Sequence, residues 1–147
     1  MEQKRSRHNA KDKSELPSQL PCHFESSVSV RFDETDQTIL RAMFLPSCDT
    51  PYGGGAFHFD ISLPGAYPDH APSVSLRTTG GCKVRFNPNL YENGKVCLSL
   101  LDSTWAGPKW DPKVSTLLQV LVSIQSMIFV EDPYFNEAEY DGQQNTD

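Results

Sequence analysis

The segment RFNPNLYENGKVCLSLL, residues 85–101, contains residue types that could do chemistry at a defined spacing. Cys97 follows Asn89 by eight residues, and Pro88 separates Asn89 from a second asparagine, Asn87. The four histidines lie at positions 8, 23, 58 and 70, away from this segment in sequence. A papain-like hydrolase pairs its cysteine with a distant histidine, so that alternative stays open, although the local signature of that class is absent.

A cysteine without a neighbouring base is suited to thiol–thioester exchange. The reaction converts one thioester into another, and a thiol of ordinary pKa, about 8.5, already has some of the nucleophilic thiolate near neutral pH. When an amine attacks such a thioester, a side-chain amide N–H can stabilise the tetrahedral oxyanion, typically by about 3 kcal/mol. We therefore interpret Cys97 as a candidate acyl carrier and Asn89 as its oxyanion donor. The plainer alternatives are an inert core thiol at Cys97 and an Asn89 that only holds its loop.

The elements that must position this segment can be read from hydrophobic periodicity. Alternation and β-branched residues predict four short strands joined by turns, which indicates an antiparallel meander. The predicted strands are SVSVRF (27–32), TILRAMFL (38–45), AFHFDISL (56–63) and SVSLR (73–77).

A long helix is predicted after the cysteine segment. STLLQVLVSIQSMIFV, residues 115–130, has apolar residues at helical spacing, Met127 among them, with Ser115 as the expected N-cap. A short, exposed helical piece is expected in DPYFNEAEYD, which begins with the helix breaker Pro133. Strands first and helices later favour an α+β fold with helices flanking one sheet.

Composition limits the classes of function. A chain of 147 residues with a net charge of −6 is most simply one acidic domain, which argues against nucleic acid as the main ligand. No apolar run reaches the roughly 18 residues of a membrane span, and the basic start has no apolar segment typical of a secretory signal. We therefore expect a protein of the cytoplasm or the nucleus that acts without nucleic acid or membrane.

The remaining cysteines, Cys22, Cys48 and Cys82, show no close pair. Their spacing does not fit a structural zinc site, so no metal is expected. We expect all three to be buried or half-buried free thiols.

Three regions are expected along the chain. Residues 1–15 form a polar, basic segment, either a weak helix or disordered, that serves as a docking arm or is simply solvated. Residues 16–140 form the domain, and residues 141–147 form an acidic tail.

The spacing Asn-Pro-Asn followed by cysteine resembles the active-site motif of the ubiquitin-conjugating enzymes, which usually begins with His-Pro-Asn. TPYGGG before the third strand, YPDHAPSVSL, Trp105 eight residues after the cysteine, and the helix LLQVLVSIQSMI are similar to family features in the same order. The resemblance extends from about Leu16 to Tyr140. Within the family the chain most resembles the large, atypical members: the giant enzyme with an inhibitor-of-apoptosis repeat and the related hybrid conjugating enzyme–ligases.

The resemblance implies a ubiquitin-conjugating (UBC-like) fold, with a four-stranded meander flanked by helices. It implies that Cys97 carries ubiquitin as a thioester, that Asn89 stabilises the oxyanion, and that Asn87, Pro88 and Trp105 support the active-site loop. The implied partners are ubiquitin, its activating enzyme and a substrate protein, with an uncertain ligase and no cofactor. Two alternatives stay open: a non-catalytic domain that binds ubiquitin or a partner, and a conjugating enzyme for a ubiquitin-like modifier.

The chain departs from the family pattern at several positions. Asn87 replaces the usual histidine, and Ser99 stands where many members have aspartate. Asp69 and His70 occupy a loop where common members present an apolar anchor to ligases, and the next ligase loop is extended by AGPKW, residues 106–110. Glu137 is the candidate for the acid that orients the incoming lysine.

Overall fold

A four-stranded antiparallel sheet forms the centre of the fold. The computed structural model describes residues 2–23, 26–102, 104 and 107–136, apart from the side chains of residues 2–9 and 135. The strands are neighbours in chain order, which confirms the predicted meander. They are β1 Ser27–Phe32, β2 Ile39–Leu45, β3 Phe57–Ser62 and β4 Ser73–Leu76.

One face of the sheet is buried because apolar residues alternate along each strand. Ala42 of β2 pairs with Phe59 of β3, which in turn pairs with Leu76 of β4, and all three are buried. The opposite face carries polar pairs such as Arg41 and Asp60, in which Arg41 Nε lies 2.8 Å from Asp60 Oδ1. The two faces therefore separate core from solvent, as the alternation predicts.

The first helix, α1, spans Glu2–Gln19 and crosses the predicted boundary at residue 15. Leu16 is 2% exposed and belongs to the hydrophobic core, and Asp12 accepts a 2.6 Å hydrogen bond from Tyr67 Oη. The structure thus has a helix in the segment that was expected to be either a weak helix or disordered. The pattern was weak because Leu16 is the only large apolar side chain after Met1 in this polar segment. The boundaries at residues 15 and 140 stay predictions.

The second helix, α2, spans Leu117–Ser123 and begins one residue later than expected. Its N-cap is Thr116, which forms a reciprocal capping box with Gln119, so the prediction of Ser115 was wrong. Ser115 Oγ instead accepts a hydrogen bond from Asp111 N, in the turn before the helix. A capping box satisfies two backbone groups at once, which favours Thr116 over Ser115.

A single wide turn, the π-turn (Ile124–Ile128), follows α2 directly. Ile124 and Ile128 are fully buried, but Met127 is 51% exposed, so its assignment to the buried stripe was wrong. A π-turn has more residues per turn than an α-helix, so it rotates Met127 away from the face that α2 buries. A 3-10 helix, Pro133–Asn136, begins the predicted helical piece. The rest of that piece, residues 137–141, lies outside the described residues.

The three non-motif cysteines are free, but they are exposed, so the expectation of buried or half-buried thiols was wrong. Cys22 lies at an isolated bridge beside β1, while Cys48 and Cys82 lie in turns. Turn and edge positions leave side chains in solvent. Among the described residues, no helix has both the length and the apolar character that crossing a bilayer requires.

Candidate active site

Cys97 and Asn89 are joined by hydrogen bonds in both directions. Cys97 N donates to Asn89 O at 2.9 Å, and Asn89 Nδ2 donates to Cys97 O at 2.9 Å. A bridge between Leu90 and Val96 closes the intervening loop. The eight-residue spacing in the sequence therefore becomes direct contact between the two residues.

Asn87 fixes this loop from the other side. Its Oδ1 accepts from Asn89 N at 2.8 Å, while its Nδ2 donates to Tyr52 Oη at 2.8 Å and to Ile128 O at 3.2 Å. These contacts tie the loop to the segment before β3 and to the π-turn. The loop-holding role expected of Asn87 stays a prediction. Sequence analysis assigned no role to Tyr52, although this residue lies in the TPYGGG motif.

Pro88 lies buried between the two asparagines. Its carbonyl accepts a 3.2 Å hydrogen bond from Arg85 Nη2. Trp105, the other predicted support of the loop, lies outside the described residues.

The Asn89 amide is buried and only partly engaged. It is 9% exposed, and its Oδ1 has no hydrogen-bond partner among the described residues. The amide nitrogen carries two hydrogens, of which one points at Cys97 O. The other is the hydrogen that an oxyanion donor would use, so holding the loop and stabilising an oxyanion are compatible roles.

The Cys97 thiol lies in a site that disfavours the thiolate. Cys97 is 1% exposed, and burial raises the pKa of its thiol. The positive charge of Lys95 acts in the opposite direction, as do a hydrogen bond from Tyr91 and the charge of Arg85, whereas Asp102 adds to the effect of burial. The thiol is therefore protonated at rest, with cations and a donor nearby that favour its ionised form.

A cleft of about 140 Å³ opens beside the thiol. It is lined by Asn89, Cys97, Leu98, Ser99, Met127, Ile128 and Asn136. Asn136 Nδ2 donates to Met127 O at 2.9 Å, so the π-turn holds this amide at the cleft. Sequence reasoning missed Asn136, whereas the acid that it nominated, Glu137, lies outside the described residues.

The two predicted ligase loops lie side by side. Asp69 and His70 are exposed, and they line a second cleft together with Lys109 and Trp110. Trp110 Nε1 donates to Pro68 O at 2.7 Å. The described part of the extension, residues 107–110, therefore folds back onto the first loop.

Comparison with known proteins places these features in a family. The family model described as "Ubiquitin-conjugating enzyme" matches residues 9–146. The chain is 49% identical over 145 residues to the dual E2 ubiquitin-conjugating enzyme/E3 ubiquitin-protein ligase BIRC6 of Homo sapiens; the match covers 97% of this chain and 3% of that protein. It is 46% identical over 146 residues to the probable ubiquitin-conjugating enzyme protein 17 of Caenorhabditis elegans, covering 97% and 20% respectively. The chain thus spans only a small part of the curated relatives that it matches.

A solved structure agrees with this assignment. Human ubiquitin-conjugating enzyme E2 G1 superposes with a TM-score of 0.65 at 27% identity, covering 82% of this chain and 90% of that one. Three observations agree with one another: the α+β meander, the hydrogen bond between the Asn-Pro-Asn turn and Cys97, and the family match over residues 9–146. The chain therefore belongs to the ubiquitin-conjugating enzyme family.

Proposed function

We propose that Cys97 accepts the C-terminus of ubiquitin from the activating enzyme as a thioester and passes it to a substrate lysine. The observation that carries this proposal is the reciprocal pair of hydrogen bonds between Asn89 and Cys97. It holds a side-chain amide donor beside Cys97, which is buried and borders a cleft, whereas Cys22, Cys48 and Cys82 are exposed.

The first step is an exchange of thioesters. The Cys97 sulfur attacks the carbonyl carbon of the ubiquitin thioester on the activating enzyme, and that enzyme's cysteine leaves as the thiolate. Because one thioester replaces another, the step needs little driving force, and the raised pKa of Cys97 sets only the fraction of reactive thiolate. ATP is consumed earlier, by the activating enzyme, so this chain uses no cofactor.

The second step is attack of a neutral lysine amine on the Cys97 thioester. A C–N bond forms, the carbonyl oxygen becomes an oxyanion, and the second hydrogen of Asn89 Nδ2 stabilises it. Collapse of the intermediate breaks the C–S bond, releases the Cys97 thiolate and yields an isopeptide, while the amine gives its proton to solvent. Because the Asn89 side chain is already held by Cys97 O, it needs little reorganisation for this role.

The proposal extends to partners and location. Ubiquitin, the activating enzyme and a substrate protein are the expected partners, without nucleic acid or membrane. We expect the protein to act in the cytoplasm or the nucleus. Asp69 and His70 are exposed at the loop where common family members present an apolar anchor to ligases. These polar residues argue against the common apolar mode of ligase docking.

Charging with purified components tests the proposal. The chain is incubated with activating enzyme, ATP and ubiquitin, and the products are separated with and without reductant. We expect an adduct of one ubiquitin that reductant removes and that free lysine discharges. Ubiquitin bound without an adduct would instead favour a non-catalytic binding domain, and charging only by another modifier's activating enzyme would identify a ubiquitin-like substrate.

A further inference from the structure

Asn136 places a second side-chain amide at the cleft beside Cys97. It is the last residue of the 3-10 helix Pro133–Asn136, and its side chain is half-buried. Asn136 Nδ2 donates to Met127 O at 2.9 Å, so the π-turn fixes the position of the amide group. The cleft that Asn136 shares with Cys97 has a volume of about 140 Å³, that of roughly five water molecules in the liquid. It can therefore admit the end of one acceptor side chain.

The two amides of the cleft offer groups of opposite polarity to a reaction at Cys97. Asn89 Nδ2 donates to Cys97 O and keeps a second hydrogen, which is the donor that an oxyanion needs. The Asn136 nitrogen is directed at Met127 O, so its carbonyl oxygen, with two lone pairs, is the end of the amide that remains for a ligand. Attack of an amine on a thioester uses both kinds of group, because the carbonyl oxygen gains negative charge while the nitrogen carries N–H hydrogens.

The rest of the cleft suits a lysine side chain. Leu98, Met127 and Ile128 contribute to its lining, and Met127 is 51% exposed. Lysine packs its methylene groups along apolar surface while its nitrogen reaches a polar group. Among the described residues, Ser99 supplies the remaining polar side chain of the lining, but Ser99 is only 7% exposed. The half-buried Asn136 is therefore the more accessible partner for an incoming amine.

We propose that Asn136 binds the acceptor: its Oδ1 accepts a hydrogen bond from an N–H of the attacking lysine amine and directs the nitrogen lone pair at the thioester carbonyl carbon. The amine is neutral, and Asn136 takes no proton. The C–N bond forms, the C–S bond to Cys97 breaks, and the amine proton passes to solvent, as in the proposed reaction. This inference rests on the proposed function and adds the residue that positions the nucleophile.

Single-turnover discharge onto two matched acceptors tests this role. The ubiquitin-charged chain is separated from ATP and the activating enzyme and is then mixed with 2-aminoethanol or with 2-mercaptoethanol, which differ only in the nucleophilic group. The thiol attacks as a thiolate, which has no hydrogen for Asn136 to accept. Asn136→Ala and the nearly isosteric Asn136→Leu should slow discharge onto the amine by about threefold to tenfold, the effect of one neutral hydrogen bond, and should leave discharge onto the thiol unchanged.

Two further variants separate binding of the amine from support of the π-turn. Asn136→Asp keeps an acceptor oxygen but lacks the N–H that donates to Met127 O, so it should discharge onto the amine at or above the wild-type rate. Ser126→Ala is the matched control, because it removes a 2.8 Å side-chain hydrogen bond to Val122 O in the same helical segment; it should change neither rate. Thermal unfolding checks that each variant is folded.

Several outcomes would overturn the inference. Equal loss with both acceptors, or an Asn136→Asp variant as slow as Asn136→Leu, would show that Asn136 only supports the π-turn. An amine-specific loss in Ser99→Ala with none in Asn136→Leu would assign the role to Ser99. Asn136 variants that charge and then discharge at wild-type rates would refute this inference and leave the proposed function standing, whereas a wild-type chain that never forms the adduct would refute both.

Discussion

Replacing Asn87 with alanine should destabilise the protein markedly, because one buried side chain joins three parts of the structure. The amide donates to Tyr52 Oη and Ile128 O and accepts from Asn89 N. Asn87→Ala removes all three hydrogen bonds and leaves their partners without them in a site where Asn87 is only 7% exposed. At about 1 kcal/mol for each net hydrogen bond, we expect the free energy of unfolding to fall by about 2–4 kcal/mol.

Urea titration followed by circular dichroism measures this loss. The midpoint should fall while the slope of the free energy with denaturant stays unchanged, since the substitution does not alter the surface exposed on unfolding. The melting temperature should fall by roughly 5–15 °C, given about 2–4 °C for each kcal/mol in a protein of this size.

Asn93→Ala is the matched control for this prediction. Asn93 lies in the same loop, is exposed, and its side chain accepts a single hydrogen bond from Lys95 N, at 2.9 Å. The same chemical change should therefore cost about 1 kcal/mol or less. An Asn87→Ala variant no less stable than Asn93→Ala would refute the idea that Asn87 holds the active-site loop.

Three further predictions concern the reaction. Asn89→Ala should slow discharge to lysine by roughly 10²–10³ in single-turnover assays while charging changes much less, because the donor acts on the oxyanion formed by a poor nucleophile; equal loss in both steps would indicate a purely structural role. Because burial raises the pKa of the Cys97 thiol, the charging rate with saturating activating enzyme should still rise with pH above about 8.5, the ordinary cysteine value; a plateau below pH 8 would contradict this. A generic RING-type ligase should not accelerate discharge to lysine, since exposed Asp69 and His70 replace the apolar anchor of common docking loops; stimulation of tenfold or more would disprove it.

The strands could be predicted from sequence because their signal is local. Alternation along AFHFDISL fixes which side chains of β3 face the core, and turn formers bound each strand. The N-cap of α2 was also encoded locally: Thr116 is followed three residues later by Gln119, the capping-box spacing that Ser115 lacks.

Other features depend on contacts that are distant in sequence. Asn87 Nδ2 donates to Tyr52 Oη, which is 35 residues away in sequence, and to Ile128 O, which is 41 residues away. No local sequence pattern predicts either contact. The π-turn that turns Met127 outward likewise interrupts a helical spacing that reads as continuous. The spacing of Asn89 and Cys97 predicted that the two residues act together. Their hydrogen bonds could be seen only in the folded structure.

The most direct test of the central claim uses Cys97→Ser in the charging reaction. The hydroxyl should accept ubiquitin slowly as an oxyester, and that adduct should resist reductant, whereas Cys97→Ala should form none. Peptide mass spectrometry of the Cys97→Ser adduct should locate the C-terminal glycine of ubiquitin at position 97. A reductant-sensitive adduct that persists in Cys97→Ala and disappears in Cys22→Ala, Cys48→Ala or Cys82→Ala would contradict the assignment of Cys97 as the ubiquitin carrier.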